Sequence, residues 1–240
     1  MAKYGPSSVG FFLVGGRSLA GLTTNMTFKK LGGTENTDAL GDAWQESTPT
    51  GRLSGELYQT GWFDDAANSS VAAFVGNETT SQVVTVAPAG STAGSAVTGF
   101  AGPFGAEVER LIEKESLHKL NVTYNVSGAI EEGKIVEALA ARTTTGNSAS
   151  LDNTSSSASG GSGYLQITAA SGTSPTLACV LQHSADDTTF ATLGSFTMAG
   201  SIGAERITVT GTVNRYLRTN NTIGGSGGPS MTYTVAFSRG

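Results

Sequence analysis

The chain has 240 residues, 33 of them Gly, with one Cys, 14% charged residues and a formal net charge of −5. One thiol closes no loop, so a disulfide scaffold is excluded. No cluster of Lys and Arg stands ready to neutralise phosphates, and a hydrophobic fraction of 38% excludes a wholly disordered chain.

Residues 11–22 read as a hairpin turning at Gly15 and Gly16, and residues 25–31 continue the sheet. Residues 32–51 show no period and are rich in Gly, Thr, Asp and Pro, which predicts a loop of about twenty residues. That loop holds Asp38, Asp42, Trp44 and Glu46. From residue 52 to 63 the sequence alternates, with Leu53, Leu57 and Phe63 on one face and Glu56, Tyr58 and Trp62 on the other. Asp64 or Asp65 is placed to cap one short α-helix, favoured by Ala66, Ala67, Ala72 and Ala73 and stopped by Gly76. Strands follow at 83–86 and 96–100, with a turn at 88–90 between them. The Glu and Lys residues between 107 and 119 suit a helix as well as a strand. Alternation running on through Leu120, Val122, Tyr124 and Val126 favours strands. Residues 135–139 close the first half.

The stretch 143–150 carries no charge and almost no bulk. It predicts a flexible link between two domains, 1–145 and 146–240. Lys and Arg number ten against fifteen Asp and Glu before residue 143, a balance of −5, and four against four after it. The first half therefore carries the whole imbalance, and an acidic surface repels DNA. The second half shows short strands at 165–169, 177–182, 190–196, 207–213 and 231–237, with the Gly-rich residues 224–228 as the turn before the last. That is the pattern of a β-sandwich or jelly roll.

No catalytic, cofactor or metal site is expected. His118 and His183 stand in different halves without Cys, Asp or Glu at ligand spacing. Residues 224–228 match G-x-S-x-G, but a strand follows where a nucleophile elbow needs a helix, and no His lies downstream. The pairs Asp64-Asp65, Glu131-Glu132 and Asp186-Asp187 are neighbours in sequence, which suits caps and turns better than a catalytic cleft or a calcium loop. Cys179 lies in the apolar run 177–181 and reads as a core residue. No stretch is long and apolar enough to insert in a membrane.

Several segments, in order, resemble the tail tube (major tail) proteins of long-tailed bacteriophages. They are Val-Gly-Gly-Arg-Ser-Leu-Ala-Gly-Leu at 14–22, Asp-Ala-Leu-Gly-Asp-Ala-Trp-Gln-Glu at 38–46, the strand into the helix at 55–66, Phe-Ala-Gly-Pro-Phe-Gly at 100–105 and Gly-Lys-Ile-Val at 133–136. The likeness spans about residues 9 to 142. Residues 182–190 and 215–218 resemble an appended sandwich module, of jelly-roll, galactose-binding-like type. The resemblance implies a mainly β protein: a tail-tube-type sandwich or barrel with one helix over the outer face of its sheet, and an outer C-terminal β-sandwich. It implies a homo-oligomer of stacked hexameric rings in the virion tail, assembled in the host bacterial cytoplasm with tape measure, tail terminator and distal tail proteins. DNA would pass through without sequence-specific binding. The loop bearing Asp38, Asp42, Trp44 and Glu46 would touch the next ring, and the C-terminal module would offer a site for a host-surface glycan. A carbohydrate-binding or host-adhesion β-sandwich protein is the alternative reading.

Overall fold

The computed structural model describes residues 9–37, 47–101, 103–112, 114, 116–126, 128–198 and 200–240. These form β1 (Phe11–Val14), β2 (Arg17–Ser18), β3 (Thr23–Asn36), β4 (Ser47–Trp62), α1 (Ser70–Phe74), β5 (Val83–Ala87), β6 (Ala96–Ala101), β7 (Pro103–Leu111), β8 (Lys119–Val126), β9 (Ile130–Arg142), β10 (Gly146–Asn147), β11 (Leu151–Asp152), β12 (Gly161–Ser184), β13 (Ala191–Ser195), β14 (Gly203–Val209) and β15 (Tyr216–Arg239). The fold is mainly β with one short helix. A large sheet runs β13-β12-β15-β9-β6-β5-β1-β2, with β10 and β11 added on β15 and β14 on β12. A second sheet runs β3-β4-β8-β7.

The backbone of the large sheet is the antiparallel ribbon of β12 and β15, paired from Gly161↔Arg239 to Ser184↔Tyr216. Its register slips between Ser171 and Thr176, where Gly172, Gly225, Gly227 and Gly228 take positive φ. There the ribbon doubles back. Thr219 and Asn221 from one half of β15 and Tyr233 from the other all donate to the Glu137 carboxylate. A straight strand would hold Thr219 and Tyr233 about 45 Å apart. The two halves enclose a core in which Leu165, Val235 and Phe237 meet Leu177, Cys179 and Leu217.

The opposite face of the outgoing half lines a second core, in which Tyr164 and Ala236 pack with Phe11, Leu13, Val97 and Ile135. To bring β1 against β12 the large sheet curls until its ends meet. The seam is closed by a side chain instead of a backbone ladder. The Gly16 N–H donates to Gln166 Oε1 at 2.7 Å, and Gln166 Nε2 donates to the Val83 carbonyl at 3.0 Å. Only Gly suits position 16: its φ is 83°, and a Cβ there would lie 2.4 Å from Gly203 N and from the Ile167 carbonyl oxygen.

The small sheet packs on the outside of this curl. Phe12, Val14, Val84, Val86 and Phe100 meet Leu57, Leu120, Val122 and Tyr124. Phe11 and Leu13 face one core while Phe12 and Val14 face the other, so β1 is buried on both sides. Helix α1 adds Ala73 and Phe74 to the core between the sheets, with Phe74 edge-on to Tyr124 at 5.6 Å.

Several expectations are corrected. Asp64 and Asp65 do not cap α1. The capping position is Ser69, the Asp64 carboxylate accepts the Ala66 N–H at 2.9 Å, and the Asp64 backbone carbonyl accepts the Val71 N–H at 3.1 Å. The described parts of the predicted loop 32–51 are extensions of β3 and β4, paired at Thr34↔Pro49, Glu35↔Thr48 and Asn36↔Ser47. Residues 224–228 lie inside β15, at the bend of the ribbon. The predicted link is bonded to β15: Gly146↔Asn221 and Asn147↔Asn220 are ladder pairs, and Thr219 N–H donates to Ser148 Oγ. On either side of residues 143–150, β9 and β15 are hydrogen-bonded neighbours in the large sheet.

Candidate assembly surface

The small sheet buries one face and leaves the other open. Alternation on β4 turns Leu57 inward and Glu56, Tyr58 and Trp62 outward, as read from the sequence, and adds Gln59 to the inner face and Thr60 to the outer. On β8 it turns Leu120, Val122 and Tyr124 inward, which leaves Lys119, Asn121, Thr123 and Asn125 on the open face. Lys29 from β3 and Glu107 and Glu109 from β7 join them, all exposed. The face is hydrophilic, and its charges are tied locally. Lys29 Nζ lies 3.8 Å from Glu56 and 4.6 Å above the Tyr58 ring, Tyr58 OH donates to Glu56 at 2.9 Å, and Asn121 donates to Glu109 at 3.0 Å. The hydrogen bond to Glu56 raises the Tyr58 pKa above its ordinary value.

Among the described residues β3 has a ladder with β4 alone and β7 with β8 alone, so each outer strand of this sheet shows one side without a neighbouring strand. A strand edge of this kind is a template for another chain. The edges differ in net sign by a small margin: β3 carries the exposed Lys29, Lys30 and Glu35, and β7 the exposed Glu107, Glu109 and Arg110. Sequence reading missed this pair because nothing in the residues says which strands will be outermost. The two Lys side by side and the Glu-x-Glu spacing were the available signal.

Beyond the Gly55↔Val126 pair, β4 leaves β8 and, among the described residues, continues with β3 alone as a largely exposed two-stranded arm. Asp38, Asp42, Trp44 and Glu46 fall between the arm's two strands and lie outside the described residues.

The remaining polar clusters hold the fold. Glu131 accepts from Arg206 at 2.8 Å and Ser162 at 2.9 Å, and also from Tyr164 OH. Burial acts to raise the Glu131 pKa, but these hydrogen bonds outweigh it and hold the group below its ordinary value. Glu137, 3% exposed, accepts from Arg142 at 2.9 Å as well as from Thr219, Asn221 and Tyr233. Beside it, Ala93, β9, β15 and residues 144–149 line a half-open pocket of about 350 Å3. The buried Asn221 Oδ1 finds no hydrogen-bond partner among the described residues.

The two histidines stay apart. His118 Nδ1 lies 3.3 Å from Arg110 Nη2, and His183 Nδ1 accepts the Asn214 N–H at 3.2 Å. Asp186 accepts the Thr188 and Thr189 N–H groups and the Ser184 hydroxyl, which pull its pKa far down. Its carboxylate is therefore committed to a turn. Burial pushes the Cys179 thiol up, away from reactivity. Among the described residues no three His, Cys, Asp or Glu are grouped to hold a metal, and no helix is long and apolar enough to cross a membrane.

No protein-family model matches the chain, and no curated protein matches it. Solved structures do. The tail of an empty gene transfer agent particle, refined with C6 symmetry, matches at 12% identity and TM-score 0.35, over 45% of this chain and 80% of that one. A chain of the native gene transfer agent virion matches at 14% and 0.39, over 54% and 97%. The SPP1 Dit protein, described as a hub adsorption apparatus in phages infecting Gram-positive hosts, matches at 10% and 0.36, over 96% and 98%. Likeness at this level identifies neither family nor role.

Proposed function

We propose that this chain is the structural subunit of a phage tail tube, polymerising as stacked hexameric rings around a channel for DNA passage. The observation that carries this reading is the open four-stranded sheet, whose two outer strands meet no further strand among the described residues and differ in net sign. Two unlike edges favour a head-to-tail contact, in which β3 of one copy pairs β7 of the next. Such a contact repeats until the ring closes and no edge remains. The open face then lines the channel. Its neutral Thr and Asn side chains offer duplex DNA no grip, and the acids Glu56, Glu107 and Glu109 outnumber Lys29 and Lys119. The order of segments shared with tail tube proteins supports the same reading. Residues 146–240 would lie on the outside of the tube. The protein would work in the virion tail beside tape measure, terminator and distal tail proteins, without a cofactor, after assembly in the host cytoplasm.

Electron microscopy of the purified protein at rising concentration tests this. Rings or hollow tubes of uniform width are expected. Monomers that persist at every concentration, even with tail-initiating proteins added, overturn the proposal. The cavity beside Glu137, with the partnerless Asn221 Oδ1, favours a second reading as a carbohydrate-binding or host-adhesion protein. Glycan binding by a non-assembling protein, lost on Asn221→Ala, would support that alternative.

A further inference from the structure

We infer that a shallow pocket between β9, β15 and the end of β11 is a binding site for one oxyanion, a carboxylate or a phosphate group. Glu132, Gly133, Lys134, Asn153, Phe237 and Arg239 line it, around a volume of about 250 Å3. None of these residues belongs to the small sheet, so the inference stands apart from the tube reading.

The backbone holds these residues in place. Lys134 faces Phe237 across the β9–β15 ladder, and the Ser238 hydroxyl donates to the Glu132 carbonyl at 2.7 Å. A Cβ at position 133 would lie 2.4 Å from the Phe237 carbonyl oxygen, so Gly133 is what lets the two strands approach. The Asn153 N–H donates to the Arg215 carbonyl at 3.1 Å, which fixes that backbone beside β15.

Unbalanced charge points to an anion. The Nη atoms of Arg239 donate to the Val213, Asn214 and Arg215 carbonyls, at 2.5–3.2 Å. Those acceptors are neutral, and among the described residues no carboxylate pairs with Arg239. Burial pulls its pKa down with no acid to offset it. A half-buried guanidinium without a counter-charge is costly. Its field reaches His183, whose pKa is lowered by burial and then by Arg239. Arg215, alongside, is already neutralised by Asp152 through contacts of 2.7 and 2.6 Å. The lining therefore sets Lys134 and Arg239 against Glu132 alone, and the Glu132 carboxylate already accepts the Thr98 hydroxyl at 2.8 Å.

Two donors in the lining are idle. Arg239 Nε and Asn153 Nδ2 are sealed from solvent and find no acceptor among the described residues. Each bears the cost of an unmade hydrogen bond. An oxyanion offers acceptors to both after a small turn of the side chains, and it adds a charge-assisted bond from the exposed Lys134. A neutral ligand would satisfy the donors and leave the charge, and a cation would satisfy neither.

Thermal melting of the full chain tests this, with sodium phosphate and sodium acetate as probes and ionic strength held by sodium chloride. A probe at about ten times its Kd should raise Tm by about 3–6 °C. A rise with phosphate alone, or with acetate alone, identifies the group that fits. A rise with neither overturns the inference. Lys134→Glu alters an exposed side chain and turns the balance of the lining acidic, so it should abolish the rise. Asn153→Asp places a carboxylate in the pocket, so it should raise Tm without added anion and cancel the response to both probes. A full response in the folded Asn153→Asp protein refutes the site. So does an unchanged response in the folded Lys134→Glu protein, whether or not Asn153→Asp folds.

Discussion

Removing the Glu137 carboxylate should unlock the doubled-back ribbon. Four donors converge on it: Arg142, Thr219, Asn221 and Tyr233. Arg142 is about one-third exposed and rehydrates when its partner goes, so most of the cost lies in the buried donors. Leaving such donors unpaired costs ~1–3 kcal/mol each, less whatever water in the adjoining cavity recovers. The net cost of Glu137→Ala is on the order of 3–5 kcal/mol, the usual penalty for breaking a buried charge pair from one side. Glu137→Gln keeps the shape and one acceptor and should lose roughly half as much. For a chain of this length each kcal/mol lowers Tm by roughly 2–4 °C, so the Ala variant should melt about 6–20 °C lower. Urea unfolding with the same slope and an earlier midpoint is the measurement. A loss below about 1 kcal/mol for the Ala variant, or a Gln variant as damaged as the Ala variant, would refute the reasoning.

Gly99→Ala should destabilise by about 1–3 kcal/mol, because its Cβ would lie 2.8 Å from the Tyr164 ring, which the hydroxyl bond to Glu131 pins in place; a melting temperature unchanged from wild type counts against that packing. His183 is held neutral, its pKa lowered first by burial and then by Arg239. A depressed folded-state pKa means that the unfolded chain takes up the proton first. This contribution to stability is therefore full above the ordinary His value and is lost as pH falls toward and through the folded-state one. Wild type should lose more stability than His183→Gln between about pH 7 and pH 5, and parallel curves would contradict this. Reversing Lys29 and Lys30 to Glu should prevent rings, and adding Glu107→Lys and Glu109→Lys in the same chain should restore them. Rings from the first variant, or none from the second when it is folded, would sink the edge pairing.

Period-two patterning made the buried and open faces of β4 and β8 legible, because one side of each strand meets the core and the other meets water. The β1–β2 hairpin was legible from Gly15 and Gly16, both at positive φ. The arm was not, because its described strands are exposed along nearly their whole length and carry no apolar alternation. The bend at 224–228 looked like a loop for a sound reason: its glycines do take loop-like φ values, yet the partner strand bends with them. The Gln166 seam and the Glu137 junction depend on residues 82–150 positions apart in sequence, and no local signal announces them. The edge charges were visible as residues, but their meaning waits on the strand order.

Strand β15 has a consequence for synthesis. It occupies the middle of the large sheet, between β12 and β9, although it spans residues 216–239. While the ribosome is still making it, β9 has no partner on that side, and Phe11, Leu13 and Ile135 lack the Ala236 wall of their core. Folding through contacts so distant in sequence is slow and cannot run domain by domain as the chain emerges. The nascent chain must be kept from its neighbours until residue 239 is out. Until then no chain has completed the fold that presents the edges on which the proposed assembly depends.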